Sequence, residues 1–187
     1  SIVDFDQPVL EVANMAIQNR LLLHGHSPVT MGKVLSAQVA AGMRDDHEMY
    51  LPEELAEKLA NGVYGFIRRG THSDNVPNCI RAVTELGMPT RRLALCTDDL
   101  DCTDITELGL IDYMVRYVIR EGIAPLTAIQ MATINAAEAY RVDHIVGAIV
   151  PGRMADVLFV SDLPNLVIDS VMANGKIVAR DNKMIDP

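Results

Sequence analysis

The 187-residue sequence lacks the cysteine pairs of a secreted scaffold. Its three cysteines, Cys79, Cys96 and Cys102, are odd in number and include no C-x-x-C pair. This suits a reducing cytoplasm better than a disulfide framework, with Cys96 in an apolar run expected as a core thiol. No apolar run approaches the roughly 20 residues that cross a bilayer, so no membrane partner is expected. The acidic start, Ser1 to Asp6, lacks a signal-peptide pattern. Positive charge is in deficit: 16 Lys and Arg against 25 Asp and Glu give a net charge of −9. That argues against nucleic acid as the main partner. Repeats and low-complexity tracts are also absent. What remains is a globular composition, 49% hydrophobic, long enough to bury a real core.

The chain is organised around Leu21 to Glu48. The apolar run Leu21-Leu22-Leu23 predicts a buried strand ending in His24-Gly25-His26. A helix over Met31 to Ala41 returns the chain, and the short strand Met43 to Glu48 delivers His47. Two histidines at the ends of neighbouring parallel strands suit a metal site, because neutral imidazole is a very common ligand and strand ends converge in a parallel barrel. The same alternation runs through the chain. Ile2-Val3 is expected to end a strand. Pro8 opens a helix with one apolar face through Val9, Val12, Ala13, Ala16 and Ile17. Pro52 opens another. Val63–Ile67 is a strand, Val76–Leu86 a helix, and Arg92–Cys96 a strand closed by Thr97-Asp98-Asp99. This βα spacing implies a parallel sheet. From Asp104 to Tyr140 the pattern is helical, with helices over Ile111–Ile119 and Leu126–Ala139. From Gly147 it turns to β structure, where Asn174-Gly175 between two β runs signals a hairpin. The expected division is an α/β unit over residues 1–146 and antiparallel strands over 147–187.

Several of these segments resemble the amidohydrolase superfamily, and more closely its adenine deaminase branch. They are Gly25-His26-Ser27-Pro28, Asp46-His47-Glu48, Cys96-Thr97-Asp98-Asp99, Ile111-Asp112-Tyr113, Thr127 to Thr133, and Gly147 to Asp156. The resemblance lies in the ordered set, which covers nearly the whole chain. It implies the second half of a metal-dependent (β/α)8 barrel with part of a small C-terminal β-sandwich. It also implies His26 and His47 as the fifth- and sixth-strand metal ligands and Asp98 as the eighth-strand ligand and catalytic base. Glu48 would contact substrate. The cofactor would be a divalent metal, manganese or iron with zinc as the alternative, binuclear in the complete enzyme. The activity implied is hydrolysis of adenine, a small-molecule purine, to hypoxanthine and ammonia. Another amidohydrolase reaction on a cyclic amide or heterocycle, or a non-catalytic barrel fragment, are the alternatives. The H-x-E and P-C-x-x-C pairing of the zinc nucleobase deaminases is absent.

The sequence departs from the branch at three places. The first-strand HxH is missing, which implies a fragment completed by the N-terminal half of the barrel or by a homo-oligomer. The position of the bridging glutamate falls near Ser1. Leu100, Asp101 and Leu110 stand where the branch carries histidines nearby. Each candidate also has a structural reading. His24 is expected to be a hydrogen-bonded loop histidine, and His47 by itself is evenly balanced between a ligand and a surface histidine paired with a carboxylate. Asp98 is weighed against a turn aspartate, and Glu48 against a first-turn helix charge. Arg68-Arg69-Gly70 and His72 are expected to form a solvated loop, and His144 an exposed linker residue. Met15, Met114 and Met131 are expected to be core packing.

Overall fold

The computed structural model describes residues 2–4 and 6–185. Two four-stranded sheets form among them. The first is parallel, in the order β1 (Leu23–His24), β2 (Met43–Asp46), β3 (Tyr64–Arg68) and β4 (Leu93–Cys96), so strand order follows chain order. Helices α1 (Gln7–Gln18), α2 (Gly32–Ala40), α3 (Pro52–Ala60) and α4 (Val76–Thr84) separate or precede these strands. Each β–α–β step is the repeat of a parallel barrel. The four strands do not close: β1 and β4 are both edges.

The prolines account for the local starts. Pro8, Pro52, Pro77 and Pro125 occupy the first turns of α1, α3, α4 and α7 (Pro125–Ala132), where a missing N–H removes no helical bond. Along β3, side chains alternate between the two faces of the sheet. Ile67 packs with Leu55, Leu93 and Leu95 in the larger core beneath the helices. Tyr64 and Phe66 pack with Ala94 and Ala139 in a smaller cluster on the opposite, inner face. Arg68 follows Tyr64 and Phe66 in period, so it ends the inner row. Gly65 is required by close approach: a Cβ there would stand 2.5 Å from Leu55 Cδ1.

After β4 the chain is helical through α5 (Cys102–Glu107), α6 (Ile111–Arg120), α7 and α8 (Ile134–Ala139). Met114, Val115 and Val118 of α6 and Met131 of α7 complete the larger core. The Asn135 amide donates to the carbonyls of Thr90 and Leu93, both at 2.8 Å, fastening α8 to the start of β4. The second sheet is antiparallel: β5 (Val157–Asp162), β6 (Val167–Ala173), β7 (Lys176–Arg180) and β8 (Lys183–Met184). Its Leu166, Val160 and Ile168 reach the larger core. Asn174 and Gly175 both have positive φ, 49° and 76°, as a two-residue hairpin turn requires.

Some expectations are corrected. Ile2–Asp4 is a turn of 3-10 helix, not a strand end. The strand expected over Leu21–His26 is regular only at Leu23–His24, where its register with β2 shifts. The apolar stripe of α1 exists but is mostly uncovered. Val12 and Met15 are more than 60% exposed, and only Ala13 is buried. Met15 is therefore not core, while Met114 and Met131 are. The reason is that α1 lies beside the edge strand β1, beyond which the described residues supply no further strand. The single helix expected over Leu126–Ala139 breaks at Thr133, whose backbone is non-helical.

Candidate functional site

Histidines and carboxylates gather at the C-terminal ends of β1 to β4. His26 follows β1, and His47 and Glu48 follow β2 directly. The rings of His26 and His47 lie edge to face with centroids 5.3 Å apart. His26 Nδ1 and His47 Nε2 each stand 3.7 Å from the same oxygen, Glu48 Oε1. One donor atom from each of the three residues lies within 4.8 Å of the others. These separations are too long for hydrogen bonds. They are close to the roughly 3.4 Å expected between ligands about 2.1 Å from a tetrahedrally bound cation. Among the described residues, neither imidazole side chain is otherwise hydrogen-bonded. The group therefore fits a divalent cation. Exposure is graded, from 70% for the His26 side chain through 32% for His47 to 8% for Glu48.

Arg68 organises the carboxylates. It grips Glu48 in a bidentate pair, with Nη1 to Oε1 at 2.5 Å and Nη2 to Oε2 at 3.0 Å. Nη1 also donates to Asp98 Oδ2, and Nη2 to the Tyr50 hydroxyl at 2.9 Å. The Tyr50 hydroxyl in turn donates to Glu48 Oε2 at 2.9 Å. Burial by itself would lower the Arg68 pKa, but the Glu48 charge and the bond to Asp98 outweigh it and hold the pKa above its usual value. The Tyr50 hydroxyl is also harder to ionise than usual, first because of its bond to Glu48 and then because of burial. Arg68 Nε is buried with no hydrogen-bond partner.

Asp98 follows β4 and adopts a left-handed backbone, φ 60°. Aspartate tolerates this region better than most residues, yet such conformations concentrate at functional sites. Its carboxylate joins the group through Arg68 and is not one of the three convergent donors. The adjacent Asp99 turns elsewhere: it accepts from the Ser73 hydroxyl at 3.1 Å and the His72 amide at 3.3 Å. Gly70 makes room for it, since a Cβ there would meet Asp99 Oδ1 at 1.8 Å. Beside it, Asp104 accepts from Arg69 and Thr71, each at 2.9 Å. The loops after β3 and β4 are thus tied together.

His24 is hydrogen-bonded as expected, but as the last residue of β1 and not in a loop. Its Nδ1 is 2.7 Å from Asp45 Oδ2, and its ring lies 5.5 Å from that of Tyr140. His72 and His144 are exposed, also as expected. Arg68 is not. Of the expected solvated loop only His72 is exposed: β3 extends through Arg68 and buries it to 4% exposure, Arg69 is half-buried against Asp104, and Gly70 is buried. Strand period was the available signal, since Arg68 falls in phase with Tyr64 and Phe66. Nor is Glu48 a first-turn helix charge, because α3 begins only at Pro52.

Beneath the site lies a second charged group. Lys58, Asp46 and Glu54 are fully buried, and Lys58 Nζ donates to Asp46 Oδ2, Glu54 Oε1 and the Ser27 carbonyl at 2.6, 2.6 and 2.7 Å. All three ammonium protons are used. No pattern in the sequence set this lysine apart from the solvent-facing charges of α3.

A partial barrel of parallel strands with histidines and carboxylates at their C-terminal ends is the architecture of a metal-dependent hydrolase. The chain belongs to the amidohydrolase family, whose model matches residues 9–178. It is 45% identical over 185 residues to adenine deaminase 1 of Desulfotalea psychrophila and to adenine deaminase 4 of Rhizobium meliloti, covering 98% of this chain in each case. The chain spans about a third of those relatives' length, 31%. Among solved structures, it resembles a β-aspartyl dipeptidase from Fervidobacterium islandicum AW-1 with a TM-score of 0.71 at 17% identity, covering 100% of this chain and 54% of that one. An N-acetylglucosamine-6-phosphate deacetylase from Pasteurella multocida gives a TM-score of 0.68 at 14% identity, covering 94% and 55%. These two likenesses support the barrel fold alone.

Proposed function

We propose that this chain supplies the C-terminal part of the active site of an enzyme that hydrolyses adenine to hypoxanthine and ammonia. The observation that carries the reading is the convergence of His26, His47 and Glu48 at adjacent strand ends, in a chain whose relatives are adenine deaminases across nearly its whole length. In this reading residues 1–146 form the barrel part and 147–187 the sandwich strands. The free cysteines fit a reducing cytoplasm.

His26 and His47, joined by the Asp98 carboxylate, would hold a divalent cation, manganese or iron before zinc, because a mixed imidazole and carboxylate set suits all three. When bound, such a cation supplies acidification of a water from a pKa of about 15.7 to about 7. The protein's own residues do the rest. Glu48, held by Arg68 and Tyr50, faces the histidines and orients the purine ring. Asp98 takes one proton from the water that adds to the amine-bearing ring carbon. The carbon–nitrogen bond then breaks, and that proton leaves with the amine as ammonia. A positioned acid–base group of this kind contributes about 10²–10⁴ in rate.

The test is made on the full-length protein. Activity on a panel of purines should be highest with adenine, and Asp98→Asn should lower kcat by about 10²–10⁴. Asp99→Asn should do much less, because its carboxylate is committed to Ser73 and His72. Metal content is measured in parallel to separate a lost base from a lost ligand. Small and equal effects at Asp98 and Asp99 with metal retained would place the chemistry on another strand.

A further inference from the structure

We propose that the buried Lys58–Asp46–Glu54 triad is a positioning device that sets the spacing of the His26 and His47 ligands. The proposal rests on the reading that these two histidines hold a divalent cation. The connections are short and specific. Ser27, the residue after His26, is held through both its backbone N–H and its carbonyl. Its N–H donates to Asp46 Oδ1 at 3.0 Å, and its carbonyl accepts from Lys58 Nζ at 2.7 Å. Asp46 is the residue before His47, and its Oδ1 also accepts the Glu48 N–H at 3.3 Å. One carboxylate therefore touches the backbone beside both histidines, and one ammonium holds that carboxylate against the Ser27 carbonyl. Glu54 shares the same ammonium as a second carboxylate and is itself fixed, with Oε1 on Lys58 and Oε2 accepting the Tyr50 N–H at 3.0 Å.

This arrangement is more than a stability device. Buried ion groups are weak evidence for stability, since apolar or neutral replacements of the whole set are often tolerated. Here, apart from the Lys58–Glu54 bond within α3, the bonds link the end of β2 and the backbone of the two loops that carry the ligands. The loop after β1 is only loosely fixed by its strand, which has two regular residues and a register shift. Gly25 adds a second tether, its N–H donating to the Asp45 carbonyl at 2.9 Å, but this lies on the other side of His26. Without the triad, His26 would keep only the Gly25 tether on one side and, on the other, the Ser27 hydroxyl bond to Gln38 of α2 at 2.6 Å, and nothing would tie it to the backbone beside His47. Partners that orient metal ligands in this way are typically worth about 10–100-fold in metal affinity.

The experiment uses the full-length protein with Mn²⁺ and Co²⁺ as probes. The uncharged isosteric variant Asp46→Asn/Glu54→Gln/Lys58→Met is compared with the unmodified protein for melting temperature, Mn²⁺ affinity and the visible spectrum of bound Co²⁺. The expected result is a folded variant with Mn²⁺ affinity lowered about 10–100-fold and an altered Co²⁺ band. Lys58→Arg is the second variant, and should also shift the Co²⁺ band by lengthening the tether while keeping its charge. A folded variant, triple or single, with unchanged affinity and an unchanged Co²⁺ band would overturn the proposal. His26→Ala distinguishes the failures. If it abolishes Mn²⁺ binding while the triad variants do not, only the positioning role falls. If it too leaves Mn²⁺ binding intact, the reading of the site falls, and the positioning role with it.

Discussion

Two clusters built on one cation each lie side by side at the strand ends, and they are finished differently. Around Lys58 the account is closed: three donors meet three acceptors, and nothing is exposed. Around Arg68 it is open. One guanidinium serves Glu48, Asp98 and Tyr50, its Nε lacks a partner, and Asp98 is more than one-third exposed. The closed cluster faces the helices and joins loops. The open one faces the histidines and leaves carboxylate oxygens within reach of a further ligand. The one cation has every partner buried with it; the other holds one buried carboxylate, Glu48, and one that solvent reaches, Asp98.

The largest effect should come from breaking the closed cluster at its centre. Lys58→Met alone strands two buried carboxylates and is expected to cost about 3–5 kcal/mol in urea denaturation. Arg68→Met should cost less, about 1–3 kcal/mol, because Asp98 can turn to water and Tyr50 still donates to Glu48. The same substitution removes a positive charge beside the histidines, so Mn²⁺ should bind more tightly, as titration calorimetry would read. Equal stability losses at Lys58 and Arg68, with Mn²⁺ affinity unmoved by the second, would erase the distinction between closed and open.

The smallest effect concerns the loop tie beside the open cluster. The Thr71 hydroxyl bond, and then Arg69, hold the Asp104 carboxyl below its ordinary pKa. A carboxyl lowered in the folded state stabilises at pH values above the unfolded pKa of about 3.9, and that contribution disappears as pH falls through the folded value. Amide protection factors in the loops after β3 and β4, taken against the intrinsic rate at each pH, should therefore fall in acid below about pH 3.9. Asp104→Asn should remove that pH dependence while leaving the β-strands unchanged. Persistence of the same acid response in the variant would show that another group controls these loops.

The sequence by itself determined the alternation of elements, the helix starts at proline, the Asn174-Gly175 hairpin and the positions of His26, His47 and Asp98 at strand ends. These follow from local rules: period, ring geometry at φ, and the need for positive φ in a tight turn. Tertiary structure alone decided the rest. The Arg68 partners lie 18 to 30 residues away in the chain, at Tyr50, Glu48 and Asp98, so strand period could put it on the inner face but no local pattern could say what it meets there. Lys58 looks like any solvent-facing lysine of an amphipathic helix until β2 brings Asp46 against it. Met15 keeps perfectly good core spacing, yet lies exposed because burial depends on what stands opposite. Period tells which residues share a face; only packing tells whether that face meets water, an apolar neighbour or a charge.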